Sequence, residues 1–462
     1  MTAPASIRAL LLPWLLSLLC VAGTALASHA QTASPATNRP NVVLIIADDL
    51  GYGDLGVYGA TDLETPRLDR LAREGVRMTD FYANASVCTP TRAALITGRY
   101  QQRVVLERPL NTKDHAAGLG LRPTGRSLPQ LLKSAGYATG LIGKWHLGTQ
   151  APLLPRRHGF DTFWGYLAGA VDWYHHVNGD GVADLWDNET PATLDGYLHH
   201  EVTRRAIRFV DEHAARPFFL EVAYGAPHWP FQSPMTPSRA VARNNSLMQR
   251  PSDPDAPSRH DYVTIMEDFD SEIGKLLDAL SARGLDRRTL VVFISDNGGE
   301  WLSRNDPFFS RKDTVWEGGI RVPALLRWPG VLPAGTTSSQ VGITMDLTAT
   351  FLAAAGVMPQ PDWRLEGRDL VPLLSGRQPP TPRTLFWRVT RADARQKAVR
   401  DGALKYVEDG GLEYLFNVAV DPGERANLTA RQPRDVQRLR ALVAAWEKDV
   451  DGEARAAAKP AP

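Results

Sequence analysis

Cys88 begins a segment whose residue types predict an anion-binding site. Thr89 is a plausible N-cap of a helix, Pro90 suits the first helical position, and Gly98 ends the helical pattern. The free N–H groups and the dipole at a helix N-terminus favour negative charge there. Arg92, one turn along, can add a guanidinium at the same place. We therefore expect an anionic group to be held at Cys88.

Two acidic turns predict a site for a hard metal ion. Asp48-Asp49 follows one apolar run and Asp296-Asn297 follows another, and these side chains offer oxygen ligands. Calcium and magnesium prefer such ligands, whereas zinc favours nitrogen and sulfur. Each turn taken singly could equally be solvated or part of a hairpin-like connection. Their occurrence together in one chain favours a shared metal site.

Two histidines and one lysine follow apolar runs in the same way, and a second lysine is a candidate site residue elsewhere in the chain. Lys144 and His146 lie in Gly143-Lys144-Trp145-His146, His228 follows a proline, and Lys312 lies further along the chain. Imidazole titrates near neutrality and serves in acid–base catalysis, typically contributing about 10² to 10⁴-fold in rate. Alternatively, His228 packs in a turn before Trp229-Pro230 and Lys144 is a solvated strand end.

Four apolar runs of strand type end in these polar turns. They cover residues 41–47, 137–142, 218–224 and 290–295. Continuous apolar, β-branched runs are typical of buried parallel strands. Helical patterns lie among them, one opening at Thr65-Pro66 and one over residues 262–280. This alternation predicts an α/β fold whose sheet collects the polar turns at the carboxyl ends of its strands.

The pattern changes after about residue 359. Short strand-like segments cover residues 384–389, 396–400, 404–407 and 414–417, and an amphipathic helix is predicted from about residue 433 to 450. We predict a catalytic domain over residues 38–358 and a small antiparallel C-terminal subdomain with a covering helix over residues 359–452. A Pro- and Ser-rich stretch over residues 232–259 predicts a long loop.

The first 30 residues have the pattern of a secretory signal peptide. Arg8 supplies the positive charge, residues 9–22 are apolar, and two small-x-small cleavage sites end at Ala27 and Ala30. The apolar run is shorter than the roughly 20 residues that span a bilayer, so no stable membrane anchor is expected. We predict a secreted or periplasmic protein, and the predominance of Arg over Lys suits a GC-rich bacterial genome. Removal of Cys20 would leave Cys88 as the sole cysteine.

The charge balance excludes some classes of partner. Acidic and basic residues nearly cancel, giving a formal net charge of +1. Neither a nucleic-acid-binding surface nor a polybasic membrane patch is indicated. Any anion that the protein binds must be met by local charge.

The segment Cys88-Thr-Pro-Thr-Arg92, followed by Leu95-Ile-Thr-Gly98, resembles the signature of the type I sulfatases. Thr91 in place of Ser is a small variation. The Trp-Glu-Gly-Gly version of one motif and the segment at residues 171–175 look closest to the branch containing arylsulfatase B and related bacterial glycan sulfatases. The resemblance covers nearly the whole mature chain, through Asp48-Asp49, Gly143-Lys144-Trp145-His146-Leu147-Gly148, Pro227-His228, Asp296-Asn297-Gly298-Gly299, Lys312-x-x-x-Trp316-Glu317-Gly318-Gly319 and Asp421-Pro422-Gly423-Glu424.

This resemblance implies a fold and a covalent mechanism. The fold is an alkaline-phosphatase-like mixed, mostly parallel sheet with helices on both faces. A maturation enzyme oxidises Cys88 to formylglycine (3-oxoalanine), and one hydroxyl of its hydrate attacks sulfur and expels the alcohol. The second hydroxyl then loses its proton, the aldehyde reforms and sulfate departs. The implied metal, calcium or alternatively magnesium, is bound by Asp48, Asp49, the modified Cys88, Asp296 and Asn297.

The resemblance also implies roles for the remaining motif residues. Lys144 and Lys312 contact the sulfate oxygens, and Arg92 stabilises the formylglycine. His146 assists deprotonation of the hydrate, and His228 protonates the leaving oxygen. Lys312 shares that last role in the same expectation.

Two other functions share parts of this pattern. One is a phosphoester hydrolase of the same superfamily, but the two-zinc phosphatases use histidine-rich ligands and usually a Ser or Thr nucleophile. The other is a glycan-binding protein with a sulfatase fold that has lost catalysis. Every expected catalytic position is filled in this chain, which argues against that alternative.

Aromatic and polar residues near the motifs predict a carbohydrate substrate. The segment at residues 172–176 lies between the strands that carry Lys144 and His228, and a second group follows the predicted metal turn. Aromatic faces can stack on sugar rings, and polar side chains can bond their hydroxyls. Alternatively, these aromatics fill the core or a lid. We predict a sulfated hexosamine or galactose unit, with aryl sulfates as poor surrogates, bound by Lys144, His228, Lys312, Asp172, His175, Trp301, Arg304 and Asn305.

Overall fold

The computed structural model describes Met1 and residues 39–235, 256–360, 362–391 and 394–457. The predicted signal peptide lies outside this part of the chain apart from Met1, as do residues 236–255 of the predicted loop. The predicted domain boundary near residue 358 stays a prediction.

Sixteen strands run through the described residues. They are β1 (Asn41–Asp48), β2 (Val76–Met78), β3 (Phe81–Tyr82), β4 (Ala138–Lys144), β5 (Thr162–Tyr166), β6 (Trp186–Asp187), β7 (Thr190–Pro191), β8 (Phe218–Pro227), β9 (Thr289–Ser295), β10 (Ala324–Arg327), β11 (Thr336–Ser338), β12 (Gly342–Ile343), β13 (Thr384–Arg391), β14 (Ala394–Asp401), β15 (Leu404–Asp409) and β16 (Leu412–Asn417).

Ten α-helices accompany them in the same described ranges. They are α1 (Pro66–Arg73), α2 (Cys88–Thr97), α3 (Thr112–Ala116), α4 (Leu128–Ser134), α5 (Leu198–His213), α6 (Arg259–Ala282), α7 (Glu317–Ile320), α8 (Thr344–Ala354), α9 (Val371–Leu374) and α10 (Pro433–Ala457). None of these helices is long and apolar enough to cross a membrane.

The main sheet has ten strands in the order β11-β2-β10-β9-β1-β8-β4-β5-β6-β7. Its central five, β9, β1, β8, β4 and β5, are mutually parallel, and β10 adds an antiparallel neighbour to β9. The four predicted strands are therefore adjacent, and the predicted mixed, mostly parallel sheet is confirmed. Their continuous apolar runs are fully buried because helices cover both faces.

The two faces of the sheet pack into separate cores. Alternate residues of a strand point to opposite faces, so Val43 and Ile45 pack with α1, α5 and α6, whereas Val42 and Leu44 pack with α2, α4 and α8. Helix α6 begins three residues before the predicted start, because Ser258 caps it and forms a capping box with Asp261.

The C-terminal segments form an antiparallel sheet in the order β13-β14-β15-β16. This confirms the predicted small antiparallel sheet, and the predicted helix is present as α10. Trp387 of β13 packs in one core with Tyr82 and Ile343. A buried ion-pair cluster also ties this sheet to the rest of the fold, since Lys405 lies 2.8 Å from Glu317 and 2.9 Å from Glu424.

Candidate active site

The polar turns predicted from the sequence meet at one rim of the sheet. The order β9-β1-β8-β4 places the carboxyl ends of four parallel strands side by side. Asp48 ends β1, Lys144 ends β4, and Asp296 directly follows β9. His228 directly follows β8. Since carboxyl ends of parallel strands face the same edge, their side chains converge there.

Cys88 is the first residue of α2, so the helix begins two residues earlier than predicted. Thr89 is not the N-cap, because the capping position is Val87, which makes no side-chain cap hydrogen bond. The Thr89 hydroxyl instead donates to the His146 carbonyl at 3.0 Å and accepts the Leu110 N–H. It thereby ties the helix start to the segment after β4. Gly98 ends the helix with φ of 66°, as expected.

The thiol of Cys88 is buried among carboxylates. Its Sγ lies 3.4 Å from Oδ1 of Asp48 and 4.0 Å from Oδ1 of Asp49. Burial, with the negative charge of Asp48, raises the pKa of the Cys88 thiol well above its ordinary value. The thiol is therefore protonated at neutral pH. Because the thiolate is the nucleophilic form of cysteine, unmodified Cys88 is a poor nucleophile.

Two lysines neutralise the carboxylates beside Cys88. Lys144 lies 2.5 Å from Asp48 and Lys312 lies 2.5 Å from Asp49. Although burial opposes ionisation, Lys312, His228 and Lys144 lower the pKa of Asp49 to about 2. Buried charges persist only when they are paired and hydrogen-bonded.

Arg92 makes a two-pronged contact with Asp296. Its Nε and Nη2 donate to one carboxylate oxygen at 3.1 and 2.9 Å. Burial and the charge of Asp48 nevertheless raise the pKa of Asp296 to about 6. A positive charge placed between these two carboxylates would relieve that repulsion.

The donor set of the site fits an oxygen-preferring cation. Ligand atoms of Asp48, Asp49, Cys88 and His228 lie within 4.8 Å of one another. Asn297 donates its amide N–H to Asp49 at 2.7 Å, while its buried Oδ1 has no hydrogen-bond partner in the described part of the chain. A buried amide oxygen without a partner costs free energy unless something positive meets it. Carboxylate and amide oxygens are the ligands that calcium and magnesium select.

His146 is held as a neutral base. Burial, assisted by Lys144, lowers its pKa well below the ordinary value. Its Nε2 lies 3.0 Å from the Leu110 carbonyl, which can only accept, so Nε2 carries the proton. Nδ1 is then an acceptor, and it has no partner among the described residues.

His228 is the other buried imidazole of the site. Burial lowers its pKa to about 3, although Asp49 opposes this effect. Its Nδ1 contacts the Trp229 carbonyl, and its Nε2 lies 3.5 Å from Asp49. The imidazole is therefore neutral at pH 7, with its Nε2 lone pair turned toward the carboxylates.

Tight backbone packing sets the turns that carry these groups. Gly143 and Gly298 have no room for a side chain, because a Cβ atom would lie 1.9 Å from the carbonyl oxygens of Ala223 and Gly318 respectively. The Asp49 backbone has a positive φ of 65° and that of His146 one of 57°. Non-glycine residues adopt this conformation rarely, and such residues cluster at functional sites.

A cavity of about 610 Å³ opens above Cys88. Cys88, His146, His228 and Lys312 line its inner end. Segments before and after β4, at residues 109–115 and 167–186, supply most of the remaining lining. The cavity is large enough for a small organic ligand.

Six predicted substrate contacts do not line this cavity: Lys144, Asp172, His175, Trp301, Arg304 and Asn305. Asp172 is fully buried and accepts the backbone N–H groups of Tyr174 and His175 and the ring nitrogen of His175. Gln232 also donates to it at 2.7 Å. Its carboxylate is thus used to shape its own loop, and Trp173 next to it is core.

The side chains of Trp301, Arg304 and Asn305, which follow the predicted metal-binding turn, likewise make contacts within the protein. Asn305 bonds both the N–H and the carbonyl of Gly299, and Arg304 pairs with Asp62 at 3.0 Å. Trp301 packs edge-on against Phe231, with ring centroids 5.6 Å apart. This placement fits the alternative that the aromatic side chains serve packing better than it fits contact with a sugar.

Other residues line the cavity that the sequence pattern did not single out: Asn111, Thr112, His115, Asp180, Trp186, Trp229 and Glu300. The sequence does contain a local signal for one part of this set, the segment around His115. Asn111 and Asp114 form a capping box, so the pattern Asn-x-x-Asp predicts a helix start just before His115. Nothing in the local pattern indicates that Trp186 rather than Trp173 faces the cavity.

Comparison with protein families agrees with this geometry. Residues 40–357 match the family model described as Sulfatase. Residues 307–443 match a model described as N-sulphoglucosamine sulphohydrolase, C-terminal.

Curated proteins and solved structures give the same picture. The chain is 36% identical to human N-acetylgalactosamine-6-sulfatase over 371 residues, covering 75% of this chain and 68% of the relative. It is 34% identical to human arylsulfatase A over 453 residues, covering 88% of this chain and 82% of that relative. The crystal structure of Ps i-CgsB in complex with k-i-k-neocarrahexaose has a TM-score of 0.80 at 29% identity, covering 89% of this chain and 93% of that one.

Proposed function

The chain belongs to the sulfatase family, and from this premise we propose that it hydrolyses the sulfate ester of a saccharide at the site around Cys88. One observation carries the proposal. Cys88 lies at the inner end of a saccharide-sized cavity, with paired carboxylates beside it and Lys312 at the same end. That arrangement offers a reacting atom, compensating positive charge and space for an alcohol leaving group.

The nucleophile that we propose is formylglycine made from Cys88. Its hydrate would supply a hydroxyl that attacks sulfur and expels the alcohol. The raised pKa of the Cys88 thiol supports this assignment, because a protonated thiol is a poor nucleophile. The same proposal includes export through the predicted signal peptide and oxidation of Cys88 by a maturation enzyme.

We assign the metal to Asp48, Asp49, Asp296, Asn297 and the modified residue at position 88, with calcium preferred and magnesium as the alternative. When bound, such an ion polarises a sulfate oxygen as a Lewis acid. The unpartnered Oδ1 of Asn297 and the raised pKa of Asp296 support this assignment. Arg92 orients Asp296 through its two N–H donors.

Lys144 and Lys312 are assigned to the sulfate. Lys144 is buried, Lys312 is half-buried, and each is paired with one carboxylate. A preorganised ammonium in a water-poor site stabilises developing negative charge more strongly than it would in water. Although burial opposes it, Asp49 raises the pKa of Lys312 well above its ordinary value, so Lys312 stays charged.

His146 is the proposed base. Its Nδ1 is free to accept a proton, because Nε2–H is used by the Leu110 carbonyl. For the leaving oxygen, the charged ammonium of Lys312 is the better supported donor. His228, with a pKa of about 3, is neutral at pH 7 and takes that role only when a bound anion raises its pKa.

The nucleophile is tested by mass and by rate. In active protein the Cys88 peptide is expected to be lighter than the thiol form, as oxidation to the aldehyde replaces sulfur by oxygen. Cys88→Ala is expected to abolish turnover of sulfated saccharides while leaving the melting temperature near wild type. Gly452→Ala, on α10 with open space around its Cβ position, is the matched control. Full activity in Cys88→Ala would refute the proposed nucleophile.

The reaction and the metal are tested separately. Wild-type protein is assayed against sulfate esters and the corresponding phosphate esters, and sulfate esters are expected to be the better substrates. Elemental analysis of the active protein is expected to find calcium or magnesium. A preference for phosphate esters would contradict the proposed reaction, and stoichiometric zinc without either ion would contradict the oxygen-ligand assignment.

A further inference from the structure

His115 has no role in the chemistry described so far, yet its ring lines the cavity beside Cys88. Both ring nitrogens are buried, and neither has a hydrogen-bond partner among the described residues. Its ring centroid lies 6.5 Å from that of His146. Buried polar atoms are nearly always satisfied, so two unsatisfied nitrogens facing a cavity indicate a place for a ligand.

The backbone around His115 is firmly held. Asn111 accepts the N–H groups of Lys113 and Asp114 and caps α3. Arg108 donates two hydrogen bonds to the Asp114 carboxylate, and the one from Nη2 is 2.6 Å long. Gln150 donates to the His115 carbonyl at 3.2 Å. These contacts fix the position of the imidazole, while its two ring nitrogens have no hydrogen-bond partner in the part of the chain that the structure describes.

Trp186 is a second ordered group in the same cavity. Its indole N–H donates to Asp184 at 2.8 Å, and the other oxygen of Asp184 accepts the Ala168 N–H at 2.8 Å. The indole is therefore held by a buried carboxylate while part of its surface stays accessible. An aromatic face fixed in this way suits packing against a sugar ring.

The charges of the cavity favour a sugar without further negative charge. Lys312 is the one Lys or Arg among the described lining residues, and it lies at the inner end beside Asp49. Asp180 and Glu300 add carboxylates to the lining. Among the described lining residues, no further Lys or Arg would compensate a second sulfate or a uronate carboxylate placed beside these groups.

We propose that His115 hydrogen-bonds the sugar ring that carries the sulfate, beside Trp186, and that this subsite selects a singly sulfated, otherwise neutral hexose or N-acetylhexosamine. The inference rests on the proposed function. His115 donates from one ring nitrogen and accepts at the other, which matches the mixed hydrogen-bonding of a sugar hydroxyl or an acetamido group.

The test compares a sugar sulfate with a substrate that has no sugar. The values of kcat/KM are measured for N-acetylgalactosamine 6-sulfate, galactose 6-sulfate and nitrophenyl sulfate with wild type, His115→Ala and Lys113→Ala. The ratio of sugar sulfate to aryl sulfate is expected to fall about three- to tenfold in His115→Ala, as expected for one lost hydrogen bond. Lys113 is exposed on the same helix and does not line the cavity, so Lys113→Ala is expected to keep the wild-type ratio.

Two conservative variants separate hydrogen bonding from packing. His115→Asn places an amide near Nδ1 and His115→Gln places one near Nε2, so at least one is expected to recover part of the ratio. An unchanged ratio in His115→Ala, or no recovery with either amide, would overturn the role of His115. A higher kcat/KM for a doubly sulfated hexose than for the singly sulfated one would overturn the selection for a neutral ring. Failure of wild type on every sulfate ester would instead contradict the proposed function itself.

Discussion

Gly298 offers a direct test of how the fold positions the site. It follows Asp296 and Asn297, and a Cβ atom there would lie 1.9 Å from the Gly318 carbonyl oxygen. Such atoms essentially never approach closer than 3.0 Å, so Gly298→Ala requires a shift of at least 3.0 − 1.9 = 1.1 Å. Displacing catalytic groups by about 1 Å costs on the order of 10²-fold in rate. We also expect a stability loss of about 1 to 3 kcal/mol from overpacking.

The assay combines kcat/KM on a sulfated substrate, thermal unfolding and metal content. Gly452→Ala is the matched control, because nothing lies within 4 Å of its Cβ position. In that control we expect unchanged kcat/KM and a stability gain of up to about 1 kcal/mol, since Ala is the better helix former. Gly298→Ala with kcat/KM within twofold of wild type would refute the claim that this turn positions the reacting groups.

A second variant covers the case in which Gly298→Ala fails to fold. Asp296→Asn keeps the shape of the side chain and removes its charge. We expect it to fold, since the amide oxygen can still accept from Arg92, which donates at 2.9 and 3.1 Å in the native protein. Turnover and bound metal should both fall, and wild-type values of both would contradict the assignment of Asp296.

Three further predictions concern residues around the site and in the C-terminal sheet. In Gly169→Ala the new methyl group would lie 2.7 Å from the His146 ring. We therefore expect kcat to fall about 10²-fold with little change in melting temperature. An unchanged kcat would argue against His146 as a base. Lys405→Met removes the cation that the buried side chains of Glu317 and Glu424 share. Urea unfolding is expected to show that the free energy of unfolding falls by about 3 to 5 kcal/mol. A decrease below about 1 kcal/mol would contradict this expectation. Burial raises the pKa of Glu424 from 4.5 to about 7, so its stabilising contribution is complete below pH 4.5 and is lost as the pH rises through 7. Between pH 5 and 8, the melting temperature should therefore decline less in Glu424→Gln than in wild type. An equal decline in the two proteins would contradict the raised pKa of Glu424.

Local patterns were sufficient for most of the fold. Apolar runs at residues 41–47 and 290–295 predict buried strands because side-chain periodicity reports directly on burial. The polar turns after them predict convergence at one rim because parallel strands point the same way. The structure brings Asp48, Asp49 and Cys88 together accordingly. The helix start at Cys88 departs from prediction, because Thr89 bonds a distant segment rather than its own helix.

The walls of the cavity were decided by tertiary structure. Asp172 and Trp173 looked suited to a sugar, but Gln232, about 60 residues further on, donates to the carboxylate of one and accepts the backbone N–H of the other. His115 and Trp186 line the cavity instead, held by Gln150 and Asp184. A sequence pattern tells which residues are apolar or turn-forming, because those properties are local. Which of two similar aromatic or polar side chains meets a ligand depends on which distant partner has already satisfied the other, and only the folded chain decides that.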